Sequence, residues 1–186
     1  MAEQFFDREL CASLRSEAAS APGEAAGIYA AVDTIDVATR RSSYAQVSPE
    51  TVALVTARLL AIKPELEHHF RLQLQGCQTP HFLVYRPGDF FRAHTDIVVE
   101  GTPPYIQERL ISVVIFLNEE FDRPTADAFS GGSLTFYNLV DDEHFRNLGL
   151  PLAGEEGLLV AFRADIVHAV TPVTHGRRFT IVTWFC

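Results

Sequence analysis

The run Leu110-Ile-Ser-Val-Val-Ile-Phe-Leu117 contains one polar residue, Ser112, and is rich in β-branched side chains. Successive side chains of a strand point to opposite faces, so a run of this kind is buried on both sides. We therefore expect one face of this strand to line the interior of a β structure and the other face to pack beneath helices.

Further β-rich runs surround this one, and turn signals such as Pro87-Gly88-Asp89 separate them. Strands are expected over His81–Tyr85, Arg109–Leu117, Gly132–Tyr137, Gly157–Phe162, Val167–Pro172 and Arg178–Phe185. Many short strands separated by such turns are typical of an antiparallel barrel or a double-sheet jelly roll. We therefore predict an α+β chain that is mainly β.

Helical patterns fill the first part of the chain. Residues 5–20 are rich in Ala, Leu, Glu and Arg and are followed by Pro22-Gly23. Ser48-Pro49-Glu50 starts a second helix with a capping hydroxyl and a first-turn proline, and a short helix is expected after Lys63-Pro64, through His69. We predict a single domain, with helical support over residues 1–75 and a jelly-roll core over residues 76–186.

Length and composition limit the class of protein. The 186 residues, 47% of them hydrophobic, suit one domain with its own core. A formal charge of −9 argues against a nucleic-acid partner or an anionic membrane, because both require basic patches. The three cysteines are widely spaced, and neither a signal peptide nor a membrane-spanning stretch is recognisable. We therefore expect a cytoplasmic protein.

His94-Thr95-Asp96 is the first candidate for metal binding. In an extended segment the two outer residues point to the same face, so an imidazole and a carboxylate can approach one ion. Such triplets also arise by chance in a chain with seven histidines. Taken alone, a surface histidine followed by a turn aspartate is the simpler interpretation.

His168 changes this interpretation, because it lies on a late strand that a jelly roll can bring opposite an early one. Two histidines and one carboxylate form the facial triad of non-haem iron, although the same donors also bind zinc.

Arg178 distinguishes an iron site from a zinc site, since it can return to the same interior face across the turn Thr174–Arg177. A buried dicarboxylate such as 2-oxoglutarate needs a permanently charged bidentate donor. The first alternative for Arg178 is a solvent-exposed charge at the edge of a strand. The second is that Arg177 binds the dicarboxylate and Arg178 is the solvated residue.

Several stretches together resemble the prolyl 4-hydroxylase-like branch of the 2-oxoglutarate/iron(II) oxygenases. The resemblance covers about residues 80–186 and follows the order and spacing of that family. The matching stretches are Tyr85-Arg-Pro-Gly-Asp-Phe-Phe-Arg-Ala-His94-Thr-Asp96, Arg109-Leu-Ile-Ser-Val-Val-Ile-Phe-Leu-Asn118, Gly131-Gly-Ser-Leu-Thr-Phe136, His168-Ala-Val-Thr-Pro-Val-Thr-His-Gly-Arg-Arg178 and Trp184.

The resemblance implies a double-stranded β-helix, the jelly roll, with N-terminal supporting helices. It also implies a hydroxylase that converts 2-oxoglutarate and O2 to succinate and CO2 while ascorbate keeps the iron reduced. By resemblance, Fe(II) is bound by His94, Asp96 and His168, and Arg178 binds the far carboxylate of 2-oxoglutarate. Tyr85 occupies a position near the cosubstrate or the substrate.

One position departs from the family. Phe116 stands where some relatives carry a tyrosine that hydrogen-bonds the cosubstrate carboxylate. Thr180 and Trp184 share the strand parity of Arg178 and are expected to line the same pocket. A neighbouring hydroxyl is expected to replace the missing one, from Ser112, Thr180 or Tyr85.

Three residues are candidates for contact with the substrate at the rim of the pocket: His81, Arg92 and Arg109. For each of them exposure to solvent is the alternative. The segment Ile97–Tyr105, which contains Gly101 and two prolines, is expected to cover the open coordination position.

The preferred function is hydroxylation of an aliphatic C–H bond of a peptidyl residue, with proline first by resemblance. A free amino acid or a small metabolite is the alternative substrate. Two further classes stay open: a non-catalytic β-barrel that binds a carboxylate ligand, and a zinc hydrolase.

Overall fold

The computed structural model describes residues 1–2, 4–26, 28–29, 33–34, 38–97, 104–122, 125, 127–140, 142 and 148–186. Its helices are α1 (Arg8–Ser20), α2 (Pro49–Ala61), α3 (Lys63–Phe70) and α4 (Pro104–Gln107). Its strands are β1 (Gly23–Ala25), β2 (Ile28–Tyr29), β3 (Asp33–Thr34), β4 (Arg40–Arg41), β5 (Ser43–Ala45), β6 (His81–Tyr85), β7 (Phe90–His94), β8 (Ile111–Phe116), β9 (Ser130–Gly131), β10 (Leu134–Phe136), β11 (Leu150–Leu152), β12 (Leu159–Arg163), β13 (His168–Val170), β14 (Val173–His175) and β15 (Arg178–Phe185).

Two larger sheets contain most of these strands. The first sheet has the order β1-β5-β6-β15-β8-β12, and the second has the order β11-β10-β13-β7-β4. The strands pair antiparallel in both. From β6 to β8 the chain passes from the first sheet to the second and back, and it alternates again through β10, β12, β13 and β15. This winding is that of the predicted jelly roll.

Strand β8 shows how the two sheets and the helices share the core. Ile111, Val113 and Ile115 belong to the cluster that packs against the helices, whereas Val114 and Phe116 belong to the cluster between the sheets. All of these side chains are buried. The expectation of one face toward the interior and one beneath helices is therefore confirmed for this strand.

The helices begin where the capping residues predict. The side chain of Asp7 accepts the N–H of Leu10 at the start of α1, and the hydroxyl of Ser48 accepts the N–H of Thr51 at the start of α2. Helix α3 follows α2 directly and ends at Arg71, whose backbone is left-handed (φ 56°). The three predicted helices are confirmed, and within the described residues no helix has the length and apolar character to cross a membrane.

Each of the six predicted strand segments contains a strand, but other strands were not predicted. The most important is β7 (Phe90–His94), whose burial does not alternate and whose Arg92 and Ala93 are exposed. The expectation of helices alone over residues 1–75 was incomplete, because β1, β4 and β5 pair with the edges of the two sheets. The single-domain organisation stays a prediction.

Candidate active site

Two histidines meet across adjacent strands of the second sheet. His94 ends β7, His168 begins β13, and the two residues are direct partners in the antiparallel register. Asp96 follows β7, and its N–H donates to the carbonyl of Ala164 (2.9 Å). The ligand atoms of His94, Asp96 and His168 all lie within 4.8 Å of one another. The structure therefore brings together the three residues that the sequence singles out.

Both imidazoles present the same nitrogen to the centre of this group. Nδ1 of His94 lies 2.8 Å from the carbonyl oxygen of Arg92, and Nδ1 of His168 lies 3.0 Å from that of Ile166. Because a carbonyl only accepts, Nδ1 carries a proton in both rings. The two Nε2 atoms lie 3.7 Å and 3.5 Å from the carboxylate oxygens of Asp96. Backbone carbonyls thus orient both rings, as is usual for metal-binding histidines.

Burial and neighbouring charges set the protonation of His94 and Asp96. Desolvation, assisted by His168, lowers the pKa of His94 to about 4 against the opposing effect of Asp96, so this ring is neutral at pH 7. Burial raises the pKa of Asp96, but His168, His94, the hydrogen bond from Ser112 and the nearby indole of Trp184 outweigh it and hold that pKa below its usual range. A neutral imidazole and an ionised carboxylate are the forms that bind a metal.

The donor set fits a catalytic rather than a closed structural metal site. Two imidazoles and one carboxylate leave three positions of an octahedron open, which suits non-haem Fe(II), and they also suit zinc with an open water site. Among the residues that the structure describes, this is the only group of three or more His, Cys, Asp or Glu side chains arranged to hold a metal. The other residues of the cavity therefore have to distinguish an iron site from a zinc site.

Arg178 lines the same cavity from β15, and it is 1% exposed. Its Nη1 donates to Oγ1 of Thr180 (3.1 Å), whereas Nε and Nη2 have no hydrogen-bond partner among the described residues. Burial lowers the pKa of Arg178 to about 10, so the group stays charged at neutral pH. A buried cation with unmatched N–H groups is costly unless an anion binds there, and a carboxylate matches its planar fork.

The space around this guanidinium is shaped by two rings and a glycine. The ring centroids of Tyr85 and Phe116 each lie 5.0 Å from the guanidinium carbon of Arg178. Gly132 has φ 70°, and a Cβ there would lie 3.1 Å from Cδ of Arg178 and 2.9 Å from Cγ2 of Val173. The glycine turn therefore leaves room for the stem of Arg178.

Ser112 serves a different group from the one expected. Its hydroxyl donates to Oδ2 of Asp96 at 2.6 Å. In the strand register Ser112 lies opposite Trp184, whereas Phe116 lies opposite Thr180, further along β15 toward Arg178. This hydroxyl supports the metal-ligand candidate, and its role toward the cosubstrate carboxylate stays a prediction.

Thr180 and Trp184 lie on the same face of β15 as Arg178. Thr180 is fully buried and accepts a hydrogen bond from Arg178, and Trp184 lines the cavity near Asp96. Tyr85 is the direct cross-strand partner of Arg178 and lines the cavity beside it. Of the three residues considered as sources of the replacing hydroxyl, Tyr85 and Ser112 line the cavity, and Thr180 accepts a hydrogen bond from Arg178.

The three candidate substrate residues fall in different places, and none is among the described side chains that line the cavity. His81 packs edge-on against the rings of Tyr44 (5.1 Å) and Trp184 (5.8 Å), and burial lowers its pKa to about 4. Arg92 is exposed on β7, as its alternative interpretation holds. Arg109 is buried behind Trp184. The contact of these three residues with a substrate stays a prediction.

Arg40 is a cavity residue that sequence reasoning missed. It is 8% exposed, and its guanidinium carbon lies 4.7 Å from the ring centroid of Phe91, which stacks on His94 at 3.5 Å. Its side chain donates to Ser42 Oγ (2.9 Å) and to the hydroxyl of Tyr44 (3.3 Å). Residues 40–44 are all polar and show no alternation, so no local pattern identifies Arg40 as a cavity residue.

The segment Ile97–Tyr105, expected to cover the open coordination position, lies largely outside the described residues, which omit 98–103. At its start the carbonyl of Ile97 accepts a hydrogen bond from the hydroxyl of Thr95 (2.7 Å). At its end the carbonyl of Tyr105 accepts one from the side chain of Gln78 (2.6 Å). The role of the segment as a cover stays a prediction.

Comparison with known families agrees with this site. Residues 80–186 match the profile of the 2OG-Fe(II) oxygenase superfamily. This part of the chain contains the strands from β6 to β15, the two histidines with Asp96, and Arg178. The match spans more than half of the sequence, so the chain belongs to the 2OG-Fe(II) oxygenase superfamily, and the resemblance noted in the sequence is confirmed.

Curated relatives of this chain are PKHD-type hydroxylases. The protein from Shewanella oneidensis is 30% identical over 131 residues, which is 70% of this chain and 51% of that protein. The protein from Saccharophagus degradans is 32% identical over 108 residues, which is 56% of this chain and 42% of that protein. The chain thus spans about half the length of the curated relatives it matches.

Solved structures of prolyl hydroxylases share the fold. A prolyl-4-hydroxylase from Pseudomonas putida superposes with a TM-score of 0.69 at 22% identity, covering 99% of this chain and 89% of that one. A prolyl hydroxylase from Trichoplax adhaerens, solved with a peptide fragment of hypoxia inducible factor, superposes with a TM-score of 0.76 at 14% identity, covering 99% of this chain and 81% of that one. These likenesses confirm the jelly-roll fold.

Proposed function

We propose that this chain is an Fe(II)- and 2-oxoglutarate-dependent dioxygenase that hydroxylates an aliphatic C–H bond. Fe(II) is bound by His94, Asp96 and His168, and the far carboxylate of 2-oxoglutarate is bound by Arg178. The observation that carries the proposal is that one cavity is lined both by a two-histidine, one-aspartate group and by a buried arginine with unmatched N–H groups. Membership of the superfamily supports it.

The charges of the cavity match this pair of ligands. A metal dication bound to the carboxylate of Asp96 keeps one positive charge, and Arg178 supplies a second. The two carboxylates of 2-oxoglutarate neutralise both, which matters in a cavity where unpaired charge is costly. A hydrolytic zinc site would leave Arg178 without a role, and a simple carboxylate binder would leave the two histidines and Asp96 without one.

When bound, Fe(II) supplies the oxidative decarboxylation of 2-oxoglutarate to succinate and CO2, with one oxygen atom transferred to the substrate. The side chains of the protein hold and orient the reactants. His94 and His168 direct Nε2 toward the ion, and Ser112 fixes one oxygen of Asp96. Arg178 would hold the far carboxylate of the cosubstrate, which would leave its 2-oxo acid end for the part of the cavity lined by His94, Asp96 and His168.

We propose a peptidyl residue as the substrate, with proline as the first candidate. The likeness to prolyl hydroxylases, one of them solved with a peptide bound, motivates this choice. A free amino acid or a small metabolite is the alternative substrate, and ascorbate is the proposed reductant of the iron.

The proposal is tested by incubating the purified protein with Fe(II), 2-oxoglutarate, ascorbate and a panel of proline-containing peptides and free amino acids. We expect succinate together with a product that is heavier by one oxygen atom, and neither should form with His168→Ala. Tight binding of 2-oxoglutarate without succinate from any substrate would favour a carboxylate-binding protein. Zinc retained after anaerobic purification, with activity insensitive to Arg178→Met, would favour a hydrolase.

A further inference from the structure

Arg109 is a buried cation that contacts the surroundings of Asp96 without lining the cavity. Its guanidinium carbon lies 3.5 Å from the ring centroid of Trp184. Its Nε donates to Oε1 of Gln78 at 3.1 Å, and its Nη1 donates to the main-chain carbonyl of Asp96 at 3.4 Å. One planar group therefore covers an indole face and donates in two directions, which a lysine ammonium does not reproduce.

Gln78 is itself fixed by the last strand and extends the contact to α4. Its main-chain N–H donates to the carbonyl of Trp184 (2.8 Å), and its carbonyl accepts the hydroxyl of Thr183 (2.6 Å). Its side-chain Nε2 donates to the carbonyl of Tyr105 (2.6 Å). Arg109 and Gln78 together, called here the clasp, thus join β15 to the main chain at Asp96 and at Tyr105.

Hydrogen bonds hold Asp96 at its N–H, at one carboxylate oxygen and at its main-chain carbonyl. Its N–H donates to Ala164, its Oδ2 accepts the hydroxyl of Ser112, and its carbonyl accepts Arg109. Trp184 lines the cavity together with Asp96, and its indole is the ring that Arg109 covers. The clasp therefore contacts the main chain of Asp96 directly and packs against a ring of the same cavity wall.

We infer that Arg109 is a positioning residue for the metal ligand Asp96, and that it acts through the clasp. This inference rests on the proposed metal site and extends it, because Arg109 touches neither the ion nor the cosubstrate in that proposal. It also replaces the substrate-binding role expected from the sequence. Partners that orient a ligand side chain affect metal affinity by about 10- to 100-fold.

The test is the affinity of the purified chain for Mn(II), followed by the loss of the free-ion paramagnetic resonance signal, and the visible spectrum of the Co(II)-loaded protein. Arg109→Met keeps the apolar stem and removes the donors, and we expect it to weaken Mn(II) binding at least about tenfold and to alter the Co(II) bands. Arg109→Lys should recover part of the affinity. Arg163→Met removes an exposed arginine paired with Asp165 and is the matched control, which should bind Mn(II) as the wild type does.

Gln78→Ala keeps the inference testable if Arg109→Met folds poorly, since Gln78 is only partly buried. We expect this variant to weaken Mn(II) binding severalfold, and the double variant to be no weaker than Arg109→Met, because the pair acts as one unit. Folded Arg109 and Gln78 variants with wild-type Mn(II) affinity and Co(II) spectrum would overturn the inference alone. A wild-type chain that bound neither ion would overturn the metal site as well.

Discussion

His94 and His168 are direct partners across two antiparallel strands, and their ring centroids lie 4.3 Å apart. Paired residues of antiparallel strands point to the same face, so the register of β7 and β13 aims both rings at one place. Asp96 lies beside the two histidines because its N–H donates to the carbonyl of Ala164, and this hydrogen bond fixes the chain just after β7. The geometry of the candidate metal site is therefore a consequence of sheet pairing.

Metal binding should stabilise the folded chain, because the three ligands converge only in the native state. We expect saturating Mn(II), at about 100 times its Kd, to raise the Tm by roughly 5 to 10 °C. His168→Ala should lose this rise, whereas His175→Ala, a substitution at an exposed histidine, should keep it. Differential scanning calorimetry with and without Mn(II) measures the effect, and an equal rise in His168→Ala would refute the assignment of that ligand.

Arg178 should determine the affinity for 2-oxoglutarate. Loss of a charge-assisted bidentate contact costs about 2 kcal/mol, so we expect Arg178→Met to raise the Kd for 2-oxoglutarate about 30-fold. Arg177→Met is the matched control, because its neighbouring guanidinium lies over Phe179 and is exposed. Calorimetric titration of the Mn(II)-loaded protein gives both values. If Arg177→Met rather than Arg178→Met weakened binding, the roles of the two arginines would be reversed.

Gly132 should be intolerant of a side chain. Its φ of 70° disfavours any other residue, and a Cβ would press on Arg178 and Val173. We expect Gly132→Ala to lower the free energy of unfolding by about 1–2 kcal/mol and to weaken binding of 2-oxoglutarate. Gly76→Ala, where no atom lies within 4 Å of the added Cβ, is the control and should change neither quantity. Urea unfolding and the same titration decide the outcome, and unchanged binding in Gly132→Ala would show that Arg178 can shift freely.

Glu17 should make the attachment of α1 to α2 depend on pH. Its carboxylate accepts the hydroxyl of Thr51 and the N–H of Ser48, each at 2.6 Å, and these contacts lower its pKa. A lowered pKa contributes stability that is present above the unfolded-state value and is lost as the pH falls through the folded-state value. We therefore expect Glu17→Gln to cost about 1 kcal/mol at pH 7 and much less at pH 3.

Urea unfolding of Glu17→Gln at the two pH values measures this difference. Glu9→Gln, on the same helix and exposed, is the control and should show a small effect at both. A cost for Glu17→Gln that did not shrink at low pH would contradict the assigned cause, since the protonated wild type loses the same contacts.

The sequence predicts those features that depend on local pattern. The apolar run that became β8 and the capping residues Asp7 and Ser48 predicted a strand and two helix starts, because alternation and capping act within a few residues. The sequence also named Ser112 as a hydroxyl with a possible place in the site. It did not predict the hydrogen bond of Ser112 to Asp96, because the partner depends on how far along the strand each residue lies.

Other features depend on contacts between distant segments. Strand β7 lacks a burial alternation and is a strand because it pairs with β13 and β4. Arg40 enters the cavity only through that pairing with β4, so nothing local to it indicates a role. Arg109 was expected at the rim of the pocket from its place at the start of a strand, and its packing against the distant Trp184 is a contact that no local pattern predicts.

The most direct test of the proposed site is an anaerobic titration of the chain with Fe(II) and 2-oxoglutarate, followed by the visible charge-transfer absorption of a chelated iron(II) 2-oxo acid. We expect the wild type to develop this absorption with one iron and one 2-oxoglutarate per chain, Arg178→Met to require more 2-oxoglutarate, and His168→Ala to develop none. A wild type without the absorption, or His168→Ala with the same absorption as the wild type, would contradict the proposed site.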